Sequence, residues 1–163
     1  MNKISHDSET PAEGRQVITA CALIYHVFDK EKKIFLPKRA ATKKFLPDVF
    51  EIPGGHIDFG EDMVEGLKRE IFEEFGMRIR VGNPFAAFTY HNEVKGSHSV
   101  EVVYFATFED PIERITLHPE DHSEYRWVGL GELSSIGRED DVEMRNVRFG
   151  LELLNGNASI LED

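Results

Sequence analysis

The segment from Pro53 to Met77 constrains the fold most. Pro53-Gly54-Gly55 is a strong break. A loop follows, and then one helix-period stretch over about Asp62–Phe75 that Gly76 must end. At about 100° per residue, Val64, Leu67, Ile71 and Phe75 share one arc of that helix. Strand-like runs lie on both sides of it. A helix with one apolar face, set inside a series of strands, has to cover a sheet.

The strands come from alternation and β-branched content. Arg15–Phe28 reads as a strand, Asp29–Lys33 as a charged turn, and Ile34-Phe35-Leu36 as the return strand of a hairpin. Residues 39–48 read as a basic loop and Phe50-Glu51-Ile52 as a short strand. Arg78–Tyr90, Ser99–Phe108 and Tyr125–Val128 are further strands. His91–His98 is a polar connection and Asp110–Ser123 a long acidic loop. A second amphipathic helix covers about Asp141–Leu154, with Val142, Val147, Phe149, Leu151 and Leu154 as expected core positions. The expected organisation is a flexible tail over residues 1–14 and one α/β domain over 15–163, with a mixed sheet between helices.

The opposite side of the first helix carries chemistry. Glu70, Glu73 and Glu74 gather there, because residues three and four apart are neighbours on a helix. Gly66 lies a turn earlier on that side and is expected to leave the surface open beside the carboxylates. Arg69 sits off the row, where it can tether Glu61 or Glu73. Clustered carboxylates repel one another, and a hard cation such as Mg²⁺ or Mn²⁺ relieves this. The bland alternative is a solvated acidic face.

The net charge of −11, from 30 acidic against 19 basic residues, disfavours polymeric nucleic acid as a partner. It also means that a phosphate-bearing substrate needs a bridging cation. The single cysteine, Cys21, excludes an intrachain disulfide and reads as a small buried hydrophobe, which fits a cytoplasmic location. No stretch approaches the roughly 20 apolar residues of a membrane span, so no membrane partner is expected. The histidines lack a zinc-ligand spacing.

The string from Gly55 to Met77 resembles the Nudix box, G-x5-E-x7-R-E-U-x-E-E-x-G-U, with U a bulky apolar residue. Gly55, Glu61, Arg69, Glu70, Ile71, Glu73, Glu74, Gly76 and Met77 meet every specified position. Seven are single-residue requirements, so a chance match is on the order of 10⁻⁸. Phe50–Gly55 is similar to the entry to the box, and Glu124-Tyr125-Arg126-Trp127 to a later E-x-x-W strand of the Nudix hydrolases.

The resemblance implies an α/β/α sandwich with a mixed sheet, and cleavage of a nucleoside diphosphate linked to another moiety. It implies metal carboxylates at Glu70, Glu73 and Glu74, with the Gly55 carbonyl as a further ligand. Glu61 and Arg69 would hold the loop and helix in shape. For a general base it points to Glu73 or Glu70, with Glu124 or Glu120 as later candidates. Arg39 is the candidate phosphate contact, and Trp127 reads as core rather than as a base-stacking ring.

The compact length favours a nucleoside triphosphate or modified dNTP, yielding monophosphate and pyrophosphate. Nucleotide sugars, ADP-ribose and a non-catalytic nucleotide-sensing module are the alternatives. The resemblance also allows a homodimer whose contacts complete the pocket.

Overall fold

The computed structural model describes residues 11–156. Six strands form one mixed sheet: β1 (Gln16–Phe28), β2 (Glu31–Arg39), β3 (Gly54–His56), β4 (Ile79–Asn92), β5 (Ser97–Phe108) and β6 (His122–Val128). The order is β4-β5-β1-β2-β6, with β3 also paired to β1. The β1–β5 pairing is parallel and the rest are antiparallel. Strand β1 is long enough to divide its second edge. Thr19–Cys21 pairs with β3, and Tyr25–Phe28 pairs with β2. The β1–β2 turn is tighter than the expected Asp29–Lys33. Asp29 and Lys30 take φ of 45° and 72°, the two-residue geometry whose twist matches a hairpin.

Alternation along β1 supplies both cores. Ala20, Ala22 and Ile24 face helix α1 (Met63–Phe75), beside Phe35, Leu67, Ile71, Phe75 and Met77. Cys21 and Leu23 face helix α2 (Val142–Gly156), beside Leu36, Val103, Phe105, Val147, Leu151 and Leu154. The expected sandwich is therefore present, with one helix on each face.

The structure corrects several local expectations. Phe50-Glu51-Ile52 is not a strand. Phe50 makes one isolated bridge to Lys38, and pairing resumes at Gly54. Gly54 and Gly55 can form that strand because they pass so close to neighbours: a Cβ on Gly54 would strike the Ala20 carbonyl. In α2, Phe149 is 45% exposed and Val142 half-buried, while Met144 and Gly150 turn inward. A Cβ at Gly150 would meet Leu23 and Phe85, so the helix packs tightly there. The acidic loop contains a short 3₁₀ turn, Ile112–Arg114, and ends early because β6 begins at His122.

Residues 1–10 of the expected tail, and 157–163 of the expected domain, lie outside the described residues. Residues 11–14 are not a free tail. Ala12 and Gly14 donate backbone hydrogen bonds to the Lys95 and Gly96 carbonyls at 2.9 Å, and Arg15 accepts one from His98. Among the described residues no helix is long and apolar enough to cross a membrane.

Candidate active site

Helix α1 starts with a real cap. The Asp62 carboxylate accepts from the Val64 and Glu65 amides at 3.0 and 3.1 Å. Gly76 closes the other end at φ 67°, donating to the Phe72 carbonyl. These two ends fix the rotation of the helix, and so the direction of its glutamates.

Arg69, on helix α1, holds the loop that leads into the helix. Its Nε lies 2.7 Å from Glu61 Oε2, and Nη2 lies 3.0 Å from Glu61 Oε1 and 3.1 Å from the His56 carbonyl. Its Nη1 reaches Glu70 at 2.9 Å and Glu73 at 3.2 Å. One guanidinium thus joins β3, the loop and the helix. Glu61 also accepts from the Asp58 amide at 3.0 Å, closing the turn. Gly66 does not open the surface as expected. It is buried, and a Cβ there would lie 2.7 Å from both Glu61 Oε1 and Ile57 Cδ1, so its bareness makes room for them.

A cavity of about 600 Å³ opens beside this cluster, within the usual range for small-ligand sites. Gly55, Arg69, Glu70, Glu73 and Glu74 line it. Burial pushes the Glu70 carboxyl up to about 7 even though Arg69 favours its charged form. Burial, and then Glu51, Glu70 and Asp121, also hold the Glu74 carboxyl well above the usual range. Its Oε2 is buried with no hydrogen-bond partner among the described residues. Gly55 passes so close to Glu70 that a Cβ would strike its carboxyl group.

The opposite wall was not legible as a site. Glu51 bridges His122 Nε2 at 2.9 Å and Arg39 Nη1 at 3.2 Å. Burial opposes its ionisation, but His122 and Arg39 hold its pKa below the usual range. Arg39 Nε also binds the Phe45 carbonyl at 2.9 Å, so Arg39 faces the cavity with its guanidinium already engaged. Lys43 pairs with Asp121 at 2.9 Å. Farther in, Arg138 holds the Phe50 carbonyl at 2.6 Å, Asp141 at 2.8 Å, and Glu143.

Glu124 and Glu120 do not line the cavity. Glu124 is half-exposed beside Arg126, while Asp121 and His122 from the same segment reach inside. Trp127 packs among Phe28, Phe35 and Phe108, as a core ring. Tyr90 and His91 do line the cavity. His56, expected as a loop residue, is a buried strand residue 3.3 Å from Lys95 Nζ.

Nine carboxylates and four cationic side chains line the cavity. A polyphosphate can enter such a wall only with cations. The donor set fits one: the carboxylates are hard oxygen ligands, and the bare Glu74 Oε2 and the raised Glu70 both gain from a positive charge. Among the described residues no three such side chains already converge on one point. Arg69 gathers Glu61, Glu70 and Glu73 around itself instead.

A NUDIX domain family model matches residues 18–148. The chain is 34% identical over 68 residues to the m7GpppN-mRNA hydrolase NUDT17 of Xenopus laevis, covering 42% of this chain and 22% of that protein. The chain thus spans less than a quarter of that relative. It is 28% identical over 111 residues to an 8-oxo-dGTP diphosphatase of Buchnera aphidicola, covering 68% and 78% of the two chains. The fold matches the crystal structure of a MutT protein from Methanosarcina mazei with a TM-score of 0.68 at 23% identity, over 88% of this chain and 98% of that one.

Proposed function

Since the chain belongs to the NUDIX domain family, we propose that it is a Mg²⁺-dependent pyrophosphohydrolase that cleaves a nucleoside triphosphate or modified dNTP to monophosphate and pyrophosphate. The observation that carries the reading is the buried, unpartnered Glu74 Oε2 beside Glu70 in a cavity with nine acidic side chains. A carboxylate kept there without a cation is costly.

Glu70, Glu73, Glu74 and the Gly55 carbonyl would hold the ion, with Mn²⁺ as a substitute. When bound, the ion supplies charge neutralisation on the phosphoryl oxygens and makes a water more acidic. Glu61 and Arg69 position the carboxylates. Glu73 is half-exposed and so can accept the proton of an attacking water and pass it to solvent. Glu70 is the other candidate for that proton. Arg39, which anchors Phe45 and Glu51, and Lys43, paired with Asp121, both face the cavity and are the candidates for a phosphate contact. The likeness to an 8-oxo-dGTP diphosphatase supports a nucleotide-sized substrate.

The test is turnover of dNTPs, oxidised dNTPs, ADP-ribose and nucleotide sugars with Mg²⁺, resolved by chromatography. Monophosphate release that disappears with chelator and in Glu74→Gln is expected. Nucleotide binding without turnover would replace the hydrolase with a sensing module.

A further inference from the structure

The carboxylates of α1 come from one face of the sheet, and the other face brings a further acid to the cavity. Glu101 lies at mid-strand in β5, in phase with the core residues Val103 and Phe105. It is 5% exposed, lines the cavity, and its Oε2 has no hydrogen-bond partner among the described residues. An apolar side chain would serve packing there, so an orphan oxygen needs another explanation.

The arginines on that side are committed to other groups. Arg138 holds Glu143, Asp141 and the Phe50 carbonyl, and Arg39 holds Glu51 and the Phe45 carbonyl. Glu101 is left beside more negative than positive charge. Burial, then Glu143 and Glu51, push its carboxyl well up, against the Cys21 thiol and Arg138.

The remaining walls are aromatic. Phe88 of β4 is directly opposite Glu101, and Tyr90 follows on the same face. Their centroids are 6.3 Å apart, and the Phe45 ring lies nearly parallel to Tyr90, at 11° and 6.1 Å. All three rings line the cavity. Phenyl faces give a metal ion no ligand. Ring faces beside a buried carboxylate do suit an organic cation, and most of all an alkylated one.

We propose, resting on the nucleotide reading above, that Glu101, Phe45, Phe88 and Tyr90 form a subsite for a positively charged, alkylated nitrogen on the substrate's non-phosphate end. Glu101 supplies the countercharge and the rings cover the alkyl groups. The α1 carboxylates and their cation serve the phosphates, so the two ends of the cavity would recognise opposite charges on one ligand.

The test uses phosphate-free probes, which read this side of the cavity without the metal site. One pair is 1-methyladenosine and N6-methyladenosine, isomers of which only the first carries a ring charge at neutral pH. The other is choline and 3,3-dimethylbutanol, alike in shape and different in charge. Binding to wild type, Glu101→Gln and Phe45→Leu is followed by NMR titration, beside Mg²⁺-dependent turnover of dNTPs. Wild type should hold the cationic member of at least one pair about tenfold more tightly. The pair that shows the effect distinguishes a flat charged ring from a compact ammonium. Glu101→Gln keeps the shape without the charge, should melt no lower than wild type, and should erase the ratio. Phe45→Leu should cut it severalfold. Equal binding within both pairs, or a ratio that Glu101→Gln leaves intact, would overturn the proposal. Either result alongside normal turnover leaves the hydrolase reading standing. Cation binding that depends on Glu101, in a protein without turnover, would remove the hydrolase reading alone.

Discussion

Arg69 and Glu61 meet through two parallel hydrogen bonds, Nε to Oε2 at 2.7 Å and Nη2 to Oε1 at 3.0 Å. The pair locks the loop before α1 onto the second turn of the helix. Lysine cannot reproduce a planar two-point grip and still reach His56, Glu70 and Glu73. Arg69→Lys should therefore cost about 2 kcal/mol in urea unfolding. It should also lower kcat more than it raises KM, since it displaces the carboxylates rather than the substrate.

Glu74→Gln separates folding from activity. It replaces a buried carboxyl that Glu51, Glu70 and Asp121 discourage from ionising. The metal-free variant should melt at the same temperature as wild type or higher. Mg²⁺-dependent turnover should fall at least about 100-fold. A drop in both would mean that the carboxylate serves the fold.

The pH dependence of metal-free stability follows from Glu70. Its folded pKa of about 7 lies above its ordinary 4.5, so the folded state binds the extra proton between those values. The penalty is absent below about 4.5, grows as pH rises, and is complete above about 7. The melting temperature in chelator should fall by on the order of 5 °C across that window. Glu70→Gln should flatten the curve, and Mg²⁺ should raise the melting temperature most at the alkaline end.

Gly66→Ala tests crowding against helix propensity. Alanine in a helix is favoured over glycine by about 1 kcal/mol. Here its methyl group would meet the Glu61 carboxylate and Ile57. The variant should be less stable by about 1 kcal/mol, and thermal melts give the sign directly.

The helical carboxylates were legible because their partners are local. A period of 3.6 places Glu70, Glu73 and Glu74 together, and Asp62 and Gly76 mark the helix ends. The paired sheet strands were legible from alternation in β1 and β5. Glu51, Asp121 and His122 were not, because they meet only when β6 pairs with β2 across the chain. Glu101 did leave a trace: it is a charge on the core-facing phase of Ser99, Glu101, Val103 and Phe105. Position 149 misled because apolar character suggested burial, while Gly150, with no side chain to bury, took the contact with Leu23.

The parallel pairing of β1 with β5 joins residues 82 positions apart in the chain. Closing so large a loop costs entropy before any contact rewards it, and sheets of this kind fold slowly. The β1–β2 and β4–β5 hairpins and helix α1 need no such closure. During refolding the glutamate row should therefore exist on its helix before the chamber around it does. Stopped-flow helix signals should precede burial of the chamber's aromatic rings, and mutations along β5 should slow the second phase more than the first.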